Sequence, residues 1–132
     1  MDYAFDTNTV IHLMSGTQTV RDNREKAQKG GARFHLPPFV NYEIRRGLMI
    51  KPVPKHEKAY AVVLNNCVLG EMTVDVWERA ADIYAGLYSK RLTVKDADIL
   101  IAAFCMVNGY TLVTANTKDF VNINGLKLVN WV

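Results

Sequence analysis

Apolar residues follow two rhythms along the chain, and the rhythms alternate. Tyr3-Ala4-Phe5 is a short apolar run that stops at the polar Asp6-Thr7-Asn8, the pattern of a buried strand running into a turn. Val10, Ile11, Leu13 and Met14 then begin an apolar-faced helix that ends near Gly16, and a second helix over 19–29 closes at Gly30-Gly31. Phe34-His35-Leu36 predicts another strand. Pro37-Pro38 precedes a helix in which Val40, Ile44 and Leu48 recur every fourth residue, with Glu43 and Gly47 on a neighbouring stripe. After the break Lys51-Pro52-Val53-Pro54-Lys55, helical spacing returns over 56–66 and a brief strand fits within 68–72. Residues 74–89 are strongly helical, carrying Trp77, Ala80, Ala81, Ile83, Tyr84 and Leu87. Residues 96–107 form a further helix, apolar on every side beyond Asp98 and therefore central and buried. Thr111-Leu112-Val113-Thr114 and the stretch 126–131 predict two last strands.

Strands alternating with helices imply βαβ units. The expected fold class is α/β, a three-layer α/β/α arrangement around a mostly parallel sheet. At 132 residues one domain spans 1–132. Ligands of such sheets bind beyond the carboxyl ends of the strands, where strand order reverses, so polar residues that follow strands carry the functional interest.

Composition narrows the classes. With 49% hydrophobic and 22% charged residues the chain folds rather than staying disordered. The longest apolar run, Ile99 to Val107, is about half of a membrane crossing, and Met1-Asp2-Tyr3 lacks the basic-then-apolar order of a secretory signal, so the expected location is cytoplasmic. Cys67 and Cys105 sit far apart in apolar stretches and read as buried thiols. His12, His35 and His56 lack metal-ligand spacing. Net charge is +3, yet residues 21–58 hold ten Lys/Arg against four Asp/Glu, a local excess of six. Within it Lys26, Lys29, Arg45 and Arg46 are interleaved with Phe34, Phe39 and Tyr42, a mixture suited to phosphate contacts and base stacking.

The acidic residues sharpen this. Asp6 directly follows the first strand, and Asn116 and Asp119 follow the strand ending at Thr114, so both loops open on one sheet edge. Thr93-Val94-Lys95-Asp96 has capping-box spacing, which gives Asp96 a structural task with Thr93 as the N-cap. Asp98, two residues on, points to nearly the opposite side of the helix and has no such task. Glu43 sits on a helix over the sheet beside Gly47. Three carboxylates converging from separate segments repel one another unless a divalent cation lies among them, and an all-oxygen site with few ligands is magnesium- or manganese-like.

Taken together, Phe5-Asp6-Thr7-Asn8, Glu43-Ile44-Arg45-Arg46-Gly47, Asp98-Ile99-Leu100-Ile101-Ala102-Ala103, and Leu112 to Phe120, with Ile123-Asn124-Gly125-Leu126 and Asn130-Trp131, resemble the PIN-domain ribonucleases. Among these, the chain is most similar to the VapC-type toxins of toxin–antitoxin pairs. The resemblance implies a metal-dependent endoribonuclease in which Asp6, Glu43 and Asp98 bind Mg2+ or Mn2+, Thr7 and Asn8 orient Asp6, and Thr114 lies beside the metal pocket. Family members often carry a fourth acid near the end of the fourth strand. Here Asn116 stands there and ranks above Asp119 as a site residue, with Asp119 as a loop cap. The resemblance further implies a VapB-like antitoxin as inhibitor, a homodimer, and an RNA substrate with transfer RNA favoured. Two other readings stay open: a receiver-like magnesium-binding signalling module, and a PIN nuclease of RNA processing without toxicity.

Overall fold

The computed structural model describes residues 1–132, and the elements follow the alternation of the sequence. They are β1 (Asp2–Phe5), α1 (Thr7–Ser15), α2 (Gln18–Lys29), β2 (Arg33–Leu36), α3 (Pro38–Ile50), α4 (Pro54–Asn65), β3 (Val68–Leu69), α5 (Val74–Ser89), α6 (Asp96–Asn108), β4 (Thr111–Val113), α7 (Thr117–Phe120) and β5 (Leu128–Val129). All four strand pairings are parallel, in the order β3-β2-β1-β4-β5. The chain builds outward from β1 through β2 to β3 and then returns to lay β4 on the other side of β1. Strand order therefore reverses between β1 and β4, and the crevice beyond their carboxyl ends is where this topology places a ligand. Asp6 follows β1 and Thr114 follows β4.

α5 packs along α6, α1 packs against α2, α3 and α4, and α3 also meets α6. The periodic positions explain these contacts. Val40, Ile44 and Leu48 of α3 are all buried, and α6 buries Ile99 and the run Ile101 to Cys105, as expected of a central helix. On one face of the sheet, Trp131 packs its ring among Tyr3, Phe5 and Phe34. No helix is long and apolar enough to cross a membrane.

Three local expectations are corrected. Thr93 is not the N-cap of α6: Lys95, in extended backbone, holds that position with no side-chain cap, and its carbonyl accepts the Ile99 N–H. The helix thus starts two residues later than a Thr93 cap requires, and Asp96 becomes its exposed first residue instead of a partner for Thr93. The last strand shrinks from 126–131 to Leu128–Val129, because β4 offers it only Leu112 and Val113 as partners. Cys67 is half-buried rather than buried, and both thiols are free.

Gly70 is fixed by packing. Its N–H donates to the Leu36 carbonyl at 2.9 Å, and a Cβ there would collide with the Phe104 ring, itself buried in the core. Gly70→Ala is expected to cost about 1–3 kcal/mol of stability through this overpacking. A urea melt with an unshifted midpoint would contradict it.

Candidate active site

Asp6 is the first residue beyond β1 and the N-cap of α1, where its Oδ1 accepts the Thr9 N–H at 2.8 Å. An aspartate cap satisfies an otherwise orphaned amide and places a negative charge on the positive end of the helix. Only 5% exposed, the Asp6 carboxyl is held in one orientation. Thr9 extends the hold, since its hydroxyl donates to the Val113 carbonyl at 2.9 Å and ties the start of α1 to β4. Thr9 is not among the expected site residues, because nothing local in the sequence ties its hydroxyl to a carbonyl 104 residues away.

Thr7 acts on a different carboxylate from the one expected. Its hydroxyl donates to Glu43 Oε1 at 2.6 Å, bridging α1 to α3, while Asn8 is exposed. The other Glu43 oxygen lies 3.6 Å from an Arg46 guanidinium nitrogen one turn along α3. A Cβ added at Gly47, four residues beyond Glu43, would meet nothing, so the strip of α3 beside that carboxylate is open.

Asp98 enters from the first turn of α6, half-buried. Burial pushes its carboxyl above the usual carboxylate range, and the neighbouring charge of Asp119 adds most to that rise; Asp6 and Glu43 add further, against an opposing pull from Lys95. Four carboxylates from four segments therefore share one field. Asp119, on α7, adds more to the raised Asp98 pKa than Asp6 or Glu43 does. Asn116 precedes α7 and makes no side-chain cap bond; its N–H donates to the hydroxyl of the fully buried Thr114 at 3.0 Å. Thr114 thus fixes the turn that carries Asn116 and Asp119.

The basic residues divide. Arg46 is at the site. Arg45 is drawn to Glu57 at 3.4 Å, linking α3 to α4. Lys26 and Lys29 lie at the carboxyl end of α2, which feeds the start of β2, so the topology puts them at the sheet edge opposite the carboxylates; Lys29 pairs with Glu25. Among the histidines, His35 is buried in β2 and stacks on Tyr110 at 3.9 Å, and His12 bonds to Thr17.

The donor chemistry of the carboxylates fits a hard divalent cation, and their mutual repulsion is what such an ion relieves. As the side chains stand, no three acidic, imidazole or thiol groups lie within one ion's coordination shell. Asp6 is turned to its cap and Glu43 to Thr7 and Arg46, so occupancy requires these side chains to swing inward.

The PIN-domain family model matches residues 3–126. Ribonuclease VapC1 of Rickettsia felis is 45% identical over 49 residues, a stretch covering 37% of this chain and 37% of that relative. Two solved structures share the fold over essentially their whole length: VapBC2 from Rickettsia felis bound to a promoter DNA fragment (TM-score 0.92, 23% identity, all of both chains) and VapBC-1 from nontypeable Haemophilus influenzae (TM-score 0.87, 19% identity, 99% of this chain and 98% of that one). With the family pattern running from Tyr3 to Leu126, the chain belongs to the PIN-domain family.

Proposed function

We propose that the chain is the toxin of a toxin–antitoxin pair and acts as a Mg2+- or Mn2+-dependent endoribonuclease. The observation that carries this reading is the convergence of Asp6, Glu43 and Asp98, from three separate segments, on the crevice where strand order reverses. The names of the relatives support it: one is a ribonuclease, and the structural neighbours are toxin–antitoxin complexes. A receiver-like module is disfavoured, because such a domain needs its acidic pocket on strand ends, whereas Glu43 and Asp98 lie within helices.

Asp6, Glu43 and Asp98 would hold the cation. Bound there, a divalent ion lowers the pKa of water and stabilises charge on the attacked phosphate. Thr7 holds Glu43 and the Thr9 N–H holds Asp6 beside the crevice, and a bound cation would draw both carboxylates inward. Asn116, on the turn fixed by Thr114, supplies hydrogen bonds to a water or a phosphate oxygen, and Asp119 stands as a further acid beside Asp98. No nucleophilic side chain takes part: water would attack the phosphorus in line with the departing 3′-oxygen, and breaking of the P–O3′ bond would leave a 5′-phosphate and a 3′-hydroxyl. Arg46 and Arg45 contact the RNA backbone, with transfer RNA the favoured substrate.

The inhibitor in this reading is a VapB-like antitoxin. Ile11 of α1, Val62 of α4, and Met49 and Ile50 of α3 are all exposed, an apolar surface suited to a partner helix with anchors three and four residues apart. A basic residue of the partner would then reach the carboxylates, as Arg46 already reaches Glu43 within the chain. The exposed Trp77, Tyr84 and Tyr88 of α5 suit a second copy.

Incubation of the purified chain with total transfer RNA and Mg2+ tests the activity. The expected result is cleavage that EDTA stops and fragments with 5′-phosphate ends; cyclic phosphate ends would sink the mechanism. Co-expression with a small reading frame found adjacent to its gene, followed by light scattering, tests the partner. The expected product is a heteromeric complex built on a dimer of this chain, and a soluble, non-toxic monomer that ignores that reading frame would contradict the toxin assignment.

A further inference from the structure

α3 carries two aromatic side chains that the core does not use. Phe39 and Tyr42 lie outside the core cluster and the residues packed against it, and Tyr42 is 55% exposed. Their rings are 5.6 Å apart and tilted by 57°. Single exposed aromatics are ordinary on a protein surface. This pair differs because of what joins it to the site: the Arg46 guanidinium lies 5.0 Å from the Tyr42 ring centroid and also 3.6 Å from Glu43. One guanidinium touching both places the ring within that group's reach of a proposed metal-binding carboxylate. Beside it, Gly47 sits in the last turn of α3, and a Cβ there would meet nothing in this chain. The open strip leaves room for a bound chain alongside Glu43.

We propose that Tyr42 is a stacking platform for an unpaired base next to the scissile phosphate, and that the base takes the place Arg46 holds against the ring. This rests on the RNA-cleaving reading and deepens it by naming the side chain that would hold the base beside the cut. The exchange is favourable on the magnitudes. Arg46 is held by an exposed cation–π contact and a half-exposed ion pair three residues apart, both among the weakest interactions of a protein surface. A base stacked on an aromatic ring ordinarily improves binding by about five- to a hundredfold. Arg46, displaced, gains a phosphate in place of Glu43, and Glu43 is left free to turn toward the crevice.

The test uses a short single-stranded RNA carrying one 2-aminopurine, whose fluorescence falls on stacking, moved through the sequence around the cut. Binding is measured in EDTA, so that the RNA stays whole, and cleavage is measured separately with Mg2+. Tyr42→Leu is expected to lose about tenfold in affinity and the quenching at one position, with an unchanged salt slope, because stacking releases no counterions. Tyr42→Trp is expected to keep both, which separates loss of the platform from misfolding. Arg46→Ala is expected to lower the salt slope by about 0.7 while the quenching persists. If the wild-type chain cuts RNA and Asp98→Asn does not, yet Tyr42→Leu binds and quenches as the wild type does, the platform is wrong and the nuclease reading stands. A wild-type chain that neither binds nor cuts overturns both.

Discussion

Asp98→Asn is expected to abolish RNA cleavage and to raise the melting temperature of the protein in EDTA at neutral pH. Changes to groups that merely orient metal ligands cost about ten- to a hundredfold, so loss of Asp98, a direct ligand in the proposed function, is expected to cost at least about a hundredfold. The stability gain follows from the raised Asp98 pKa. Burial and the charge of Asp119, with smaller contributions from Asp6 and Glu43, lift it above the ordinary value of 3.8, so the folded chain binds that proton more tightly than the unfolded chain. Stability from this group is therefore lost as pH rises from about that ordinary value through the raised one. Above both, the carboxylate carries its full penalty. Asparagine does not titrate, so the variant's advantage is present above the raised pKa and fades in acid below 3.8. Glu43→Gln and Asp6→Asn are expected to be equally inactive. Both keep the fold, since the side-chain amide oxygen that Asp6→Asn introduces would still accept the Thr9 N–H. Asp96→Asn is the control: Asp96 is exposed and faces the groove lined by Trp77, Ala80 and Leu100, and activity is expected to persist. Melts in EDTA from acid to neutral pH, with cleavage assays on the same preparations, check every part. An inactive but folded Asp96→Asn would reverse the assignment of the two aspartates.

What the sequence made legible, and what it hid, divides along a physical line. Periodicity reports burial wherever one element faces one core, which is why Val40, Ile44 and Leu48 mark the inner face of α3 and why α6 reads as central. Alternating elements imply parallel crossovers, and the carboxyl-edge rule then directs attention to Asp6, Asn116 and Asp119. Contacts through space leave no such trace. Thr7 is adjacent to Asp6 in sequence but bonds to Glu43, 36 residues away. Asp119 is one turn past Asn116, and only the fold of α7 brings its charge onto Asp98. Local charge density is also blind to the two edges of a sheet: Lys26 and Lys29 belong to the same basic stretch as Arg46 yet lie at the edge opposite the carboxylates. Capping chemistry was hidden at Asp6, which read as part of a polar turn yet caps α1, and misleading at Thr93, where the helix starts later.

Trp131→Ala is expected to cost about 3–5 kcal/mol, the range for removing a buried aromatic ring. Trp131 lies outside any strand, yet it is only 6% exposed. Its ring is 5.1 Å from that of Tyr3, 5.8 Å and edge-on to Phe5, and 6.3 Å and nearly perpendicular to Phe34, the edge-to-face geometry that aromatic quadrupoles favour. Tyr3 and Phe5 belong to β1 and Phe34 to β2, so one side chain braces the two strands at the centre of the sheet. Its backbone carbonyl also accepts the Asn23 side chain at 3.2 Å, which draws α2 onto the same corner. Against a total stability of about 5–15 kcal/mol for an ordinary domain, this loss is a large share, and a fall in melting temperature of at least about 10 °C is expected. Activity at low temperature is expected to survive, because Asp6 is held by Thr9 rather than by Trp131. Trp131→Phe should recover most of the stability, and Asn23→Ala should cost only about 1 kcal/mol. Thermal melts of the three variants decide it: equal, small effects from Trp131→Ala and Asn23→Ala would mean that the ring adds nothing to the sheet beyond its backbone contact.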